Sequence, residues 1–360
     1  MASALAEHAS VLLLLPEGLA DPFIRDLDKR VSYRTFSHVR LRQPLGQWRR
    51  NRWLLSQVRQ FGADVLHVQQ GSLWFNVILY FEHRVPVVLT VHDAIRHTGD
   101  APSAKTPYFF WRLVFRRADR IIAQSCYVRD QLRFRLNKPL ELIHVIPHPQ
   151  LGQRECMPST NRVDGRTILF FGRIWPYKGL EYLIRAEPWI TEQLDDITIV
   201  IAGIGEDIDR YRQIMVHPEH FVILNRHISE EEAAKLFQET SVVVLPYIEA
   251  SQSGVIPMAY THSRPVVASA VGGLPEMVLD GVTGVLVPPR DERKLAEAII
   301  TLLANDTLRQ SMGAAGKEMI KRECSPAVIA AKTIDVYRLA CRSRRQGSAR
   351  HVHAAGHIVS

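Results

Sequence analysis

Arg173 and Lys178 lie in the segment Gly172-Arg-Ile-Trp-Pro-Tyr-Lys-Gly179, which directly follows the apolar run 167–171. A guanidinium and an ammonium aimed at one point suit a diphosphate, whose negative charge grows as it departs as a leaving group. Either cation taken alone reads equally well as an ordinary surface charge. Gly172 would let a ligand approach the backbone closely. A second segment, Glu249-Ala-Ser-Gln-Ser-Gly254-Val-Ile-Pro257, is a loop of small residues that feeds a helix near Gly254. Such a start offers unsatisfied backbone N–H groups and the positive end of a helix dipole, a ready place for phosphate. Glu249 would stand at its rim as an acceptor for hydroxyl groups. Gly272-Gly273 marks a further close approach of backbone to ligand.

These residues need strands to hold them. Apolar runs at 11–15, 65–68, 87–91 and 120–123 alternate with longer stretches of helical spacing, and the same rhythm restarts at 167–171, 197–202, 221–224, 241–245, 265–268 and 285–287. That rhythm predicts α/β domains with parallel sheets, in which ligands bind outside the carboxyl ends of the strands. Residues 151–166 are rich in turn formers and read as a linker between a domain at 1–150 and one at 167–325. Ser229 to Glu232 reads as a capping box opening a helix to about 238, and Asp291 opens another to 304. A last helix is predicted over 326–342, and the basic tail 343–360 is expected to be disordered.

With 360 residues, 46% of them hydrophobic, the chain is long enough for two globular domains. Its apolar runs fall far short of the roughly 20 residues a membrane-spanning helix needs. The first eight residues lack the basic start of a secretory signal, so a cytoplasmic protein is expected. Cys126, Cys156, Cys324 and Cys341 are scattered and read as free thiols. Charge is uneven: residues 1–150 carry 21 Lys/Arg against 12 Asp/Glu (21 − 12 = +9), and residues 151–340 carry 20 against 25 (20 − 25 = −5). A basic first half points to an anionic partner such as a membrane surface or a phosphorylated acceptor, or else to a solvated basic face. Trp48-Arg-Arg-Asn-Arg-Trp53 reads first as a core-facing helix with a basic outer side and second as a membrane-interface helix. No nucleic-acid module is recognisable.

From residue 167 to 304 the order and spacing resemble the retaining GT-B glycosyltransferases of family 4. The resemblance runs through Gly172-Arg173-x4-Lys178-Gly179, the loop led by Glu249, Pro265-Val-Val-Ala-Ser269, Gly272-Gly273-Leu-Pro-Glu276 and Asp280-Gly281-Val-Thr-Gly284. It is looser in the first half, through Gly18, Asp64-Val-Leu-His67-Val, Thr90-Val-His92-Asp93 and Ile146-Pro147-His148. The resemblance implies two Rossmann-like domains facing across a cleft, with the last helix returning to the first domain. It further implies transfer of a sugar from a UDP or GDP donor, with retention of configuration and no cofactor or metal. Arg173 and Lys178 would hold the diphosphate. Glu249 and the backbone through Ser251, Ser253, Gly254 and Val255 would hold the sugar, which His92 would face. Gly18 and Leu19 would approach the phosphates, and Arg226 to Ile228 would meet the base. The acceptor would be an anionic, phosphorylated or lipid-linked glycan.

One position departs from the family. A second glutamate, eight residues after the first, usually binds the ribose, and here that residue is Pro257. Either the ribose is held differently, through Ser253 or nearby backbone, or the protein binds nucleotide-sugar with weak or no transfer. Other features read blandly. Asp26/Asp28 and Asp207/Asp209 match a metal-binding D-x-D spacing by chance, because i and i+2 do not share a helix face. Gly203-Ile-Gly205 is a turn rather than a dinucleotide fingerprint. His67 and His148 are structural, and the tail histidines 351, 353 and 357 carry no assigned role.

Overall fold

The computed structural model describes residues 1–18, 24, 27–37, 39–69, 73–94, 108–151 and 166–355. The chain opens with α1 (Ala2–Leu5), β1 (Val11–Pro16), β2 (Val31–Phe36), α2 (Pro44–Phe61), β3 (Leu66–Val68) and α3 (Leu73–Phe81). It continues with β4 (Val87–Val91), α4 (Tyr108–Arg117), β5 (Arg120–Ala123), α5 (Cys126–Leu136) and β6 (Ile143–Val145). Strands β3-β4-β5-β6 form one parallel sheet, and β1 pairs in parallel with β2. The core of this half gathers Leu79, Val87, Leu89, Val114, Ile121 and Leu132. Strands β2 and β6 do not stand out in the sequence. β2, Val-Ser-Tyr-Arg-Thr-Phe, is exposed at three consecutive positions, and β6 is only three residues long. Residues 152–165, nearly all of the expected linker, lie outside the described residues.

The second half contains β7 (Thr167–Phe171), α6 (Leu180–Thr191), β8 (Thr198–Gly203), α7 (Asp209–Arg212), β9 (Phe221–Asn225) and α8 (Glu230–Glu239). After these come β10 (Val242–Leu245), α9 (Val255–Thr261), β11 (Val266–Ser269), β12 (Gly284–Val287), α10 (Glu292–Ala304) and α11 (Asp306–Cys324). Its six strands form one parallel sheet in the order β12-β11-β10-β7-β8-β9. Neighbouring strand residues face opposite sides. Ile168 and Phe170 pack with Leu183 and Ile299, whereas Leu169 packs with Val243, Ile256 and Tyr260. A sheet covered on both faces needs strands that are apolar throughout, so these runs were readable from sequence. The chain winds outward from β7 to β9, then crosses back to β10. This reversal leaves a crevice at the carboxyl ends of β7 and β10, the topological switch point of a doubly wound sheet.

Helix starts follow local chemistry. The Ser229 hydroxyl accepts from Glu232 N–H at 3.1 Å, and Asp291 accepts from Lys294 N–H at 2.9 Å. The reciprocal half of the capping box is not made, because the Glu232 carboxylate is bonded to Arg226 instead. The final helix, α12 (Pro326–Ala355), packs Ile329, Val336 and Ala340 against Val88, Ile122 and Ile146 of the first domain. It does not end near 342. Residues 343–355, expected to be disordered, continue the helix. Arg, Gln and Ala in that stretch are good helix formers and no proline interrupts it. At its start the Arg120 guanidinium donates to the Ser343 hydroxyl.

Candidate functional site

The loop after β7 is shaped by glycines. Gly172 has φ +112, a conformation that favours glycine, and a Cβ there would lie 3.7 Å from the Val255 side chain at the start of α9. Gly203 ends β8, and Gly205 lies in the loop that follows it. A Cβ on Gly203 would stand 1.7 Å from the Gly172 carbonyl oxygen, and one on Gly205 2.0 Å from that of Ile174. These two glycines therefore serve packing of one strand-end loop on another.

The two cations meet around two buried tyrosines. Arg173 Nη2 donates to the Tyr177 hydroxyl at 2.9 Å, and Lys178 Nζ lies 3.7 Å from the centre of the Tyr247 ring and 5.1 Å from that of Tyr177. A cation over an aromatic face gains on the order of 1 kcal/mol where water still reaches it, which favours one placement of the half-buried lysine. Burial pushes the Tyr247 phenol up to about 12, so it stays neutral beneath the ammonium. The Tyr247 hydroxyl is 3.4 Å from Ser253 Oγ, which accepts from Val255 N–H at 3.2 Å. Tyr247 thereby links Lys178 to the first turn of α9, where Gly254 is the N-cap. Sequence reading missed both tyrosines; their only signal was an aromatic residue beside a strand end.

Glu249 is half-buried, and its neighbour Ile248 N–H donates to Tyr177 O at 2.8 Å, which ties its loop to the cation loop. Glu249 lines a cavity of about 430 Å³ together with Ser251 and Gly272 from its own domain and Ala94, Tyr127 and Gln131 from the other. Half-buried His92 lies at the end of β4, and its Nδ1 is 2.9 Å from Gln124 Oε1. The amide oxygen can only accept, so Nδ1 donates this hydrogen bond.

Gly272 lines the cavity beside Glu249, and both glycines are also required by packing within the domain. A Cβ on Gly272 would stand 1.6 Å from Ala250 O and one on Gly273 2.2 Å from Ser251 O, so the glycines admit the chain's own loop. Arg226 is exposed and paired with Glu232 at 2.5 Å, and Ile228 packs on the domain core. Ser253 is buried, with its oxygen occupied by Val255 N–H. Gly18 follows β1 at φ +82, and no atom of the described residues lies within 4 Å of where a Cβ would stand; Leu19 and Asp26 lie outside the described residues. Asp28 pairs with Arg30, Asp207 accepts from Asp209 N–H, and Asp209 pairs with Arg212. Among the described residues no cluster of three or more His, Cys, Asp or Glu could hold a metal ion. His67 is bonded to Tyr337 and Thr90, and His148 to Pro149 O.

Residues 1–149 match the description Glycosyltransferase Family 4 and residues 165–305 match Glycosyl transferases group 1. An uncharacterized glycosyltransferase of Methanocaldococcus jannaschii is 30% identical over 275 residues, 72% of this chain and 71% of that protein. The chain belongs to the group 1, family 4 glycosyltransferases. Alpha-D-kanosaminyltransferase of Streptomyces kanamyceticus is 28% identical over 277 residues, 71% of each chain. In fold the glycosyltransferase is similar to sucrose-phosphate synthase of Thermosynechococcus elongatus, with TM-score 0.74 at 19% identity over 95% of this chain and 92% of the other. It also matches Anabaena HepE in complex with UDP-glucose, with TM-score 0.66 at 18% identity over 90% and 99%. The two Rossmann-like domains thus make a GT-B fold.

Proposed function

We propose that this glycosyltransferase takes a sugar from a UDP- or GDP-sugar bound mainly by its C-terminal domain and transfers it, with retention of configuration and without a metal, to an anionic or lipid-linked acceptor. The observation that carries the reading is the gathering of Arg173 and Lys178 around Tyr177 and Tyr247, beside the first turn of α9. These cations and the helix dipole would stabilise the diphosphate as the bond from the anomeric carbon to its phosphate oxygen breaks. The acceptor oxygen bonds to that carbon on the same face and gives its proton to the departing phosphate. Glu249 would orient the sugar hydroxyls and His92 would face the reacting carbon. The N-terminal domain would meet an anionic membrane through α2, whose outer side exposes Leu45, Trp48 and Trp53 among Arg49 and Arg52.

Calorimetric titration with UDP, GDP and ADP, without metal, tests the donor site. One of UDP or GDP should bind selectively, and Lys178→Ala should weaken it by about 10-fold or more. Binding of none of the three would sink the reading. A second reading, a nucleotide-sugar-binding protein with weak or no transfer, is favoured by Pro257 alone.

A further inference from the structure

Each of the four consecutive residues after β5 is engaged by a hydrogen bond outside its own segment. Gln124 holds His92. Ser125, the N-cap of α5, accepts from Val128 N–H at 3.1 Å and donates its hydroxyl proton to Ser251 O, across the cleft, at 3.0 Å. Cys126 and Tyr127 open α5, so their N–H groups have no partner within the helix. Both donate to the two carboxylate oxygens of Glu276, at 2.6 and 2.7 Å. Glu276 belongs to the other domain, about 150 residues further along the chain.

We propose that Glu276 is a positioning residue for sugar transfer: by capping α5 across the cleft it fixes the 124–127 segment, and with it His92, against the loop that carries Glu249 and Ser251.

The local structure is built around this arrangement of the loop. Glu276 ends a short turn, Leu274–Glu276, that follows Gly272-Gly273. A Cβ on Gly273 would stand 2.9 Å from Ser125 Oγ as well as 2.2 Å from Ser251 O. The turn is thus wedged between the two partners it joins. The capping bonds are charge-assisted and lie at the positive end of α5, so they are strong for their number. Glu276 is also exposed, so water can replace it when the domains part, and neither core is disturbed. The cavity lined by Glu249, Tyr127 and Gly272 lies beside this clasp, and parting the domains would open it.

The kinetic arm of the test rests on the donor reading above; the structural arm does not. In Glu276→Ala, backbone exchange at Cys126 and Tyr127 should rise about 10-fold or more and the radius of gyration without ligand should increase. Turnover should fall about 10-fold while affinity for the nucleotide that binds the wild type stays within about 2-fold, because that site lies in one domain. Glu276→Gln keeps one acceptor oxygen and the side-chain size, and should recover part of each effect. Ser125→Ala, which removes the other cross-cleft bond, should act in the same direction. If Glu276→Ala does not fold, these two variants decide the matter. Unchanged exchange in the variants overturns the proposal, as does nucleotide affinity falling in step with turnover. If no nucleotide binds the wild type, the donor reading fails, and exchange and radius of gyration still judge the clasp.

Discussion

Pro257 is third in α9, within the first turn, where N–H groups have no intrahelical partner. A proline there forfeits no hydrogen bond, and its carbonyl still accepts from the Thr261 hydroxyl at 2.8 Å. The helix that delivers its N-terminus to the crevice is therefore intact without the usual glutamate. The expected result for Pro257→Glu is a change in donor turnover of less than about 2-fold; a rise of 10-fold or more would favour the binding-only reading instead. Residues at strand ends were the legible ones. Arg173, Lys178 and Glu249 could be picked out because their types suit a diphosphate and a sugar and because apolar strands precede them. Tyr177 and Tyr247 escaped, since an aromatic residue that supports a cation looks the same in sequence as one that fills a core. Glu276 was visible as part of a motif, but its partners were set by how two domains meet, which no local spacing encodes.

Helix α2 shows what periodicity can and cannot reveal. Gln47, Asn51, Leu54, Leu55 and Val58 are buried along one side, and the opposite side exposes Leu45, Trp48, Arg49, Arg52 and Trp53. The two faces follow from 3.6 residues per turn, and the helix contains no acidic residue. No described helix is long and apolar enough to cross a membrane, so an outer face of this kind would lie on the surface of a bilayer. Vesicles rich in anionic lipid should bind the protein and uncharged vesicles should not. Replacing Trp48 and Trp53 by alanine should weaken sedimentation with vesicles by about 10-fold. Arg49→Glu with Arg52→Glu should abolish it, and added salt should weaken it in the wild type. Equal binding by wild type and both double variants would remove α2 from the acceptor side of the reading.

The strand order of the whole molecule was legible only as far as α/β alternation goes, because the crossing from β9 back to β10 is a choice among topologies that the same runs permit. The link between its ends is likewise a tertiary fact. Tyr337, on α12, is 2.6 Å from His67 Nδ1, while Thr90 Oγ1 lies 2.7 Å from the other ring nitrogen. A neutral ring can satisfy one donor and one acceptor at once, whereas a protonated ring must donate twice. Burial, with His92 nearby, lowers His67 from 6.5 to about 4. His262, stacked on Phe237 in the other domain, is lowered to about 4 by burial, with Arg264 and Lys317 adding to it. Both folded values lie below the unfolded one, so the folded chain binds fewer protons. The contribution of these two histidines is then fully present above about pH 6.5 and is lost as pH falls towards 4. The thermal midpoint should accordingly drop as pH falls from about 6.5 towards 4, with a shallower drop in His67→Gln. An undiminished drop in that variant would place the acid sensitivity elsewhere.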